Sequence, residues 1–309
     1  MEKDFHYHLI YAIAKITGMN NPDIITYSSQ FVDDNNEGQF FVDKKNISFP
    51  DRIQQTNGEY YYPIMTQSLS PKSLDLYIQK YVYVPFHFLP GDNTVIINEK
   101  GNALNTTPNS INANKILSEA LDSKNPYQIG IALHAFADTW SHQNFTGLRE
   151  DWNAVYPWYN VFKSLVPNIG HAEVGHSPDI ISEKWTDYRL KKVIDNTGRA
   201  FEAIKVIFSK LREKTNTGPV WGDIEQDFKD IVNIADYDSR IKKIVEFVSN
   251  HNGGDIPRYS PDNWINEALN KTTDSVIMKS NFTNTNWYKF HQAAKKHFAF
   301  VMSLISDLI

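Results

Sequence analysis

The chain has 309 residues, of which 41% are hydrophobic and 22% are charged, and its formal net charge is −5. This ordinary globular composition excludes wholesale disorder, collagen and a coiled coil, and no basic excess favours duplex nucleic acid or an anionic membrane surface as a partner. The sequence contains no cysteine, so disulfides, thiolate metal sites and cysteine nucleophiles are excluded. Any metal must therefore bind through His, Asp, Glu or backbone atoms.

The N-terminal stretch MEKDFHYHLIYAIAKITG lacks the basic start and the pure apolar core of a signal peptide. We therefore expect a cytoplasmic protein, with export by another route left open. No window of about 18 residues is apolar throughout, which predicts that the chain has no transmembrane segment.

The chain begins with two predicted helices. Apolar residues at helical spacing predict a helix over 4–17. A second helix begins at Pro22, a residue favoured in the first helical turn, and runs to 32. Short aromatic runs between Asn, Gly and Pro follow over 35–75, and they predict a long loop or a small β-hairpin around 35–65.

A short helix is predicted over 70–82, where Ser and Pro precede an apolar pattern. We expect extended chain after it, because Pro85 and Pro90 do not fit inside a helix.

Helical patterns dominate the rest of the chain. The predicted helices cover 111–122, 126–143, 183–214, 223–250 with a break near Asp236, 261–270 and 285–308. The segment 144–182 is predicted to be loop-rich. Short connections and shared apolar faces favour an all-α, multi-helix single domain over 1–309, with metal-site residues mainly in 4–180 and a C-terminal helical part over 183–309.

The strongest chemical pattern is HAFADTWSH, which places His134, Asp138 and His142 four residues apart. On a helix these side chains share one face, with Cβ atoms about 5–6 Å apart, so that they could share a divalent ion. A hydrogen-bonded His–Asp pair in the core is the alternative. Three titratable groups on an otherwise apolar helix favour metal coordination, since burying them unpaired is costly.

Further candidates lie in four other segments. His6 falls on the buried face of the first helix, whereas His8 falls towards its edge. The carboxylates of Asp33 and Asp34 stand at the end of the second helix, where they oppose the helix dipole, and helical periodicity does not choose between them. Two extended or loop segments carry the remaining candidates, which are His87, His171, Glu173, His176 and Asp179.

The segments HAFADTWSH, DFHYH, SQFVDD, PFHFLPG and GHAEVGHSPD together resemble a bacterial family of unknown function over residues 4–180. The His-x-x-x-Asp helix, with an Asp upstream and a His downstream, is in turn similar to the zinc-dependent phospholipase C and single-strand nuclease superfamily. Members of that superfamily are all-helical, hold a cluster of three zinc ions and hydrolyse phosphodiesters. The resemblance therefore implies an all-helical hydrolase that uses zinc.

The resemblance implies a role for each candidate ligand. Asp138 would bridge two ions and His134 would bind beside it, while His142 and His171 would serve a second ion. The other implied metal ligands are His6, His87, Asp33 or Asp34, His176 and Asp179. The last two stand one residue closer together than the superfamily's final His-x-x-x-Glu/Asp pair. Superfamily members also use the amino group of an N-terminal Trp, a residue that this sequence lacks at that place.

The implied activity is hydrolysis of a small-molecule or lipid phosphoester by a metal-activated water. Two or three zinc ions would be held, with other divalent metals left open. Asp33 or Asp34 would accept the proton from the attacking water. An aromatic group could line the substrate pocket or simply pack in the core, and its members are Trp140, Trp152, Tyr156, Trp158 and Tyr159.

Three other functions remain open at this stage. A non-catalytic helical binding protein with a structural metal ion is the main alternative. A di-iron oxidoreductase is disfavoured, because the sequence has no well-placed Glu-x-x-His pairs. An exported effector that acts on host lipids is the third. The pattern leaves the oligomeric state open.

Overall fold

A computed structural model describes the chain apart from residues 37–40, 44–45, 49–52, 55–59, 70, 92–93, 98, 158–165, 252–253 and 272–275. The described part is mostly helical, as the sequence predicts. The helices are α1, in which the π-helix Asp4–Leu9 leads into the α-helix Ile10–Ile16; α2, Pro22–Asp34; α3, which joins Leu76–Ile78, the π-helix Gln79–Tyr83 and Val84–Phe86; α4, Ile111–Ser123; α5, Pro126–Ser141; α6, Asn196–Thr215; α7, Trp221–Val232; α8, Tyr237–Asn250; α9, Asp262–Ala268; and α10, Asn286–Ile305.

Short strands form small sheets at the edges of the helical body. They are β1, Phe41–Asp43; β2, Asn46–Ser48; β3, Ile53–Gln54; β4, Tyr60–Tyr61; β5, Lys184–Asp187; β6, Lys192–Asp195; β7, Leu269–Lys271; and β8, Val276–Met278. Antiparallel pairing of β1 with β2 confirms a hairpin in the predicted insertion. A second sheet has the order β4-β3-β8-β7, with β3 parallel to β8. The insertion therefore shares a sheet with the C-terminal part of the chain.

The expectation of a helix beginning at 183 is wrong, because β5 and β6 form an antiparallel hairpin before α6. Along β5 exposed and buried side chains alternate, and Trp185 faces Ile194 across the pair. This two-residue period belongs to a strand. The turn between the strands contains Lys191 with a φ of 53°, after which Asp195 caps α6 by accepting from the Thr197 amide.

The expectation that the chain is extended around Pro85 is also wrong, since α3 continues through it to Phe86. Pro85 is the second residue of the final α-helical segment and follows directly on the π-helical turn. The amides of His87 and Phe88 both donate to the Tyr83 carbonyl, at 2.9 Å, and close the helix. His87 therefore lies at the end of α3, at a fixed position.

The core lies on both sides of α5, whose residues are almost all buried. On one side Leu133 belongs to a cluster with Ile13 of α1 and Ile207 of α6. On the other, Ile131 belongs to a cluster with Phe290 of α10. Burying one such side chain stabilises the fold by about 1.5–3 kcal/mol, so apolar packing on both sides holds α5 in place.

A glycine lets α2 approach α5 closely. A Cβ atom at Gly130 would lie 2.1 Å from the Ile25 carbonyl oxygen, so any larger residue would push the two helices apart. This close contact brings Asp33, near the end of α2, towards His134 of α5.

Candidate metal centre

Helix α5 carries three of the predicted ligands on one face. The side chains of His134 and Asp138 are almost completely buried, and His142 follows at the end of the helix. The Nε2 atom of His134 lies 3.2 Å from Asp138 Oδ2, and His142 Nδ1 lies 3.7 Å from the same oxygen. The shared face predicted from the spacing is therefore present.

The π-helical start of α1 brings His6 to the same carboxylate. His6 Nε2 lies 3.0 Å from Asp138 Oδ1, and the His6 ring stacks on the His134 ring with centroids 3.9 Å apart. One donor atom from each of these three residues lies within 4.8 Å of the others. We call His6, His134 and Asp138 the inner group.

A second group joins the ends of α2 and α3 to His134. His87 Nδ1 lies 3.2 Å from His134 Nε2 and 3.2 Å from Asp138 Oδ2. Asp33 Oδ1 lies 3.6 Å from His134 Nε2 and 3.9 Å from His87 Nδ1. We call Asp33, His87 and His134 the middle group. Since His134 belongs to both groups, they form one continuous cluster.

The outer group consists of His142, His171 and Asp179. Its Asp179 carboxylate lies between the two rings, with Oδ1 3.1 Å from His142 Nε2 and Oδ2 3.4 Å from His171 Nε2. The loop that carries His171 and Asp179 turns at Gly170 and Gly175, which both have a positive φ angle. Three donor triads therefore meet around the end of α5.

Main-chain carbonyls orient three of the histidines. His87 Nε2 donates to the Thr66 carbonyl at 2.9 Å, and His142 Nδ1 donates to the carbonyl of His87 at 2.8 Å. His171 Nδ1 donates to the Gly175 carbonyl at 2.7 Å. Because a carbonyl can only accept, the bonded nitrogen carries the proton. In a neutral ring, the opposite nitrogen then points its lone pair at a carboxylate.

The other two histidines lack this support. Within the described part of the chain, Nδ1 of His6 and Nδ1 of His134 are buried without a hydrogen-bond partner. Burial lowers the pKa of His6 to about 3 and that of His134 to about 4, so both imidazoles are neutral. A neutral imidazole is the form that binds a metal ion.

The amino group of Met1 lies between the inner and outer groups. It donates to Asp138 Oδ1 at 2.6 Å and lies 3.2 Å from Asp179 Oδ1. Burial alone would lower the pKa of this amine, but the carboxylates of Asp138, Asp179 and Asp33 together outweigh burial and raise it to about 11. The sequence argument missed this contact, because any first residue offers an amine and no side-chain pattern marks it.

The centre brings three carboxyl groups together around one amine. Asp33, Asp138 and Asp179 face one ammonium, and burial raises the pKa of Asp33. Burial alone would lower the pKa of His142, but the carboxylates of Asp138 and Asp179 together outweigh burial and raise it. Buried carboxylates need a compensating cation, and carboxylate oxygens with imidazole nitrogens are ligands for Zn²⁺ and other divalent metals. The residues present therefore fit such ions.

Three predicted site residues stay outside these groups. Glu173 Oε2 accepts from the amides of Val155 and Tyr156, at 2.8 and 3.1 Å. Asp34 Oδ2 accepts from the Tyr259 hydroxyl at 2.6 Å and from Gln30 Nε2 at 3.2 Å. His176 is exposed on the loop that carries Asp179. The structure thus places Asp33 in a donor group and Asp34 outside it, a choice that helical periodicity left open. It also leaves His176 outside the outer group.

A cavity of about 850 Å³ opens onto the centre. Its aromatic lining comes from Tyr83, Phe88, Tyr237 and Tyr259. The aromatic residues proposed from the sequence have other places: Trp140 packs against Phe136, Trp152 donates to Asn105, Tyr156 packs against Tyr188, and Trp158 and Tyr159 lie outside the described residues. Packing in the interior, the alternative to a pocket lining, therefore holds for Trp140 and Trp152, which are buried, and no described member of this group lines the cavity.

The profile of a family described as "Family of unknown function (DUF6765)" matches residues 1–305, and the chain belongs to this family. The match includes both the donor groups and the C-terminal helices. The curated proteins contain no match, and neither do the solved structures. None of the helices in the described ranges combines the length and the apolar character that a membrane span requires.

Proposed function

We propose that this protein is a metal-dependent phosphoester hydrolase whose inner, middle and outer groups hold divalent ions, with zinc as the first candidate. One observation carries the proposal: His87, His142 and His171 each donate one ring N–H to a main-chain carbonyl and direct the other nitrogen at a carboxylate. Metal-binding histidines almost always have such a partner. Bound divalent ions would lower the pKa of a water molecule and polarise a phosphoryl oxygen.

The superfamily assignment is part of the same proposal. The resemblance to zinc-dependent phospholipases C and single-strand nucleases implies a mostly helical fold. It also implies ligands from the first helix, the end of α2 and a central His-x-x-x-Asp helix.

The cavity favours a phosphoester that carries an apolar group. Leu69, Leu74 and Ile169 line it together with the donor residues. Leu69 is 86% exposed and Leu74 is 50% exposed, so the mouth of the cavity offers apolar surface to an incoming molecule. A charged phosphoryl group would face the centre while the apolar part contacted these side chains.

The two neighbouring carboxylates have different roles in this proposal. Asp33 belongs to the middle group and serves as a ligand. Asp34 lines the cavity outside the donor groups, and bonds from Tyr259 and Gln30 hold one of its oxygens. A fixed carboxylate that does not bind an ion is available to accept a proton from the attacking water.

The first experiment measures metal content and hydrolysis on protein purified without a histidine tag. We expect at least one equivalent of a transition metal, by elemental analysis, and cleavage of a chromogenic phosphodiester, phosphomonoester or phospholipid that stops when a chelator removes the metal. Less than one equivalent would overturn the proposal. Bound metal without cleavage of any of these esters would instead favour the non-catalytic protein with a structural ion.

The second experiment compares three carboxamide variants of α2. Asp33→Asn should lower the metal content, because it removes a ligand. Asp34→Asn should keep the metal and lower kcat by about 10²–10⁴-fold, the usual contribution of a general base. Asp23→Asn is the control, since Asp23 is exposed at the other end of α2. Full activity of Asp34→Asn would remove this residue from the mechanism.

A further inference from the structure

A buried ion pair ties the start of the chain to α8. Arg240 Nε donates to Asp4 Oδ2 at 2.7 Å, and a terminal nitrogen of Arg240 donates to the Ile234 carbonyl. The other Asp4 oxygen accepts from the Phe5 amide at 2.9 Å. Both charged side chains are almost completely buried, with exposures of 1% or less. Hydrogen bonds therefore fix both partners of the pair, the Asp4 carboxylate and the Arg240 guanidinium.

Stability alone does not account for such a pair. Removing an arginine and a carboxylate from water is costly, and apolar residues of similar volume are often at least as stabilising in the same place. Buried ionic groups can instead fix one arrangement of the chain, and this is a hypothesis that has to be tested for each protein. The contacts around Asp4 indicate which part of the chain such a pair would hold in one arrangement.

Asp4 begins the π-helix that carries His6. The Glu2 carbonyl accepts from the amides of Phe5 and His6, at 3.0 and 3.1 Å, and the Glu2 amide donates to the Asp179 carbonyl at 3.3 Å. Residues 1–6 are thus fixed at one end by the outer group and at the other by Arg240. π-Helices are rare, and they occur frequently at functional sites, where the changed helical geometry redirects side chains.

We propose that the Asp4–Arg240 pair positions His6 for metal binding, so that α8 controls the geometry of the inner group. In the contacts described, neither Asp4 nor Arg240 bonds to a donor residue, so the pair acts through the backbone of the π-helix. This inference rests on the proposed metal centre. It also gives the C-terminal helices, in which the resemblance recognised no site residue, a defined role at the centre.

The test compares Arg240→Lys with a matched control, Arg189→Lys. Lysine keeps the charge but loses the planar fork that reaches Asp4 and Ile234. Arg189 forms an equally buried pair with Asp187, at 2.7 Å, donates to the Trp152 carbonyl and lies over the Phe145 ring, and in the contacts described it bonds to no donor residue. Circular dichroism first establishes which variants fold. Affinity for Zn²⁺ then follows from competition with a chromophoric chelator, and Co²⁺ absorption reports the ligand geometry.

We expect Arg240→Lys to bind Zn²⁺ at least about tenfold more weakly and to change the Co²⁺ spectrum, as loss of a group that orients a ligand typically does. Arg189→Lys should keep both properties within about twofold. Equal effects in the two variants, or no effect in either, would overturn the positioning role. If the wild-type protein binds neither ion, the proposed function fails and this inference fails with it.

A second variant covers the case in which Arg240→Lys does not fold. Asp4→Asn keeps the size of the side chain and its bond from the Phe5 amide, while it removes the charge that Arg240 faces. The same tenfold criterion applies to it. If neither variant folds, the pair is a requirement of the fold, and the positioning role is overturned.

Discussion

Two sets of buried histidines differ in what surrounds them. His134 and His87, at the candidate metal centre, face the Asp138 carboxylate at 3.2 Å. His291 and His297, on α10, are equally buried but bond only to the main chain in the hydrogen bonds described: His291 Nδ1 accepts from the Ile64 amide, and His297 Nε2 donates to the Pro85 carbonyl. Burial of an imidazole therefore does not distinguish the two sets, whereas convergence on carboxylates does, and it is this convergence that makes the first set candidate ligands.

The largest expected effect comes from removing the histidine that the inner and middle groups share. His134→Asn should weaken Zn²⁺ binding by more than about 100-fold, the upper range for losing a group that merely orients a ligand. His297→Asn, at a site of similar burial, should leave metal content unchanged. Elemental analysis after dialysis, with circular dichroism to confirm folding, measures both. Equal metal loss in the two variants would remove the distinction between the two sets.

A second, smaller effect is a pH dependence that belongs to the C-terminal set. Burial lowers the pKa of His297 from 6.5 to about 4, so this residue is neutral in the folded protein while its unfolded form binds a proton below pH 6.5. The stability that His297 contributes is present above pH 6.5 and is lost as the pH falls towards 4. By linkage the loss amounts to roughly 3 kcal/mol.

Urea unfolding of the metal-free protein at several pH values between 7 and 4 measures this loss. His297→Phe should show a smaller decrease in the free energy of unfolding than the wild-type protein, because the phenyl ring does not titrate. The ring already stacks on Phe86, with centroids 5.3 Å apart, so a phenyl group has a partner there. If the free energy of unfolding depends on pH identically in the two proteins, the pH effect does not belong to His297.

The smallest expected effect separates two histidines of one segment. His8 is half-buried, and its Nδ1 contacts the Lys3 carbonyl at 3.3 Å, whereas His6 is completely buried against Asp138. His8→Gln should change the free energy of unfolding by less than about 0.5 kcal/mol and leave metal content intact. His6→Gln should lower metal content. Metal loss in His8→Gln would show that the helical face was assigned wrongly.

Local patterns predicted the helical frame of the site well. His134, Asp138 and His142 follow one helical face, and the preference of His6 over His8 follows the same rule, since side-chain direction in a helix repeats every few residues. The hairpin of β5 and β6 was mistaken for helix although KWTD alternates between exposed and buried positions, because the apolar residues that follow it in α6 dominated the pattern.

Contacts between distant segments could not be predicted in the same way. Tyr259 distinguishes Asp34 from Asp33, and it lies 225 residues further along the chain. The role of Pro85 depends on a π-helical turn before it, and sequence periodicity does not mark such turns. The convergence of His87 and Asp33 on α5 was suggested by residue type and by resemblance, not by periodicity.

The bond between Asp4 and Arg240 spans 236 residues of sequence, and the amine of Met1 reaches Asp138 across 137. Closing such long loops is slow, because chain entropy is lost before the contacts form. During synthesis the first turn of the protein must therefore wait until α8 has left the ribosome before its ion pair can form. If the pair positions His6, the inner group is accordingly completed only after more than two thirds of the chain has been synthesised.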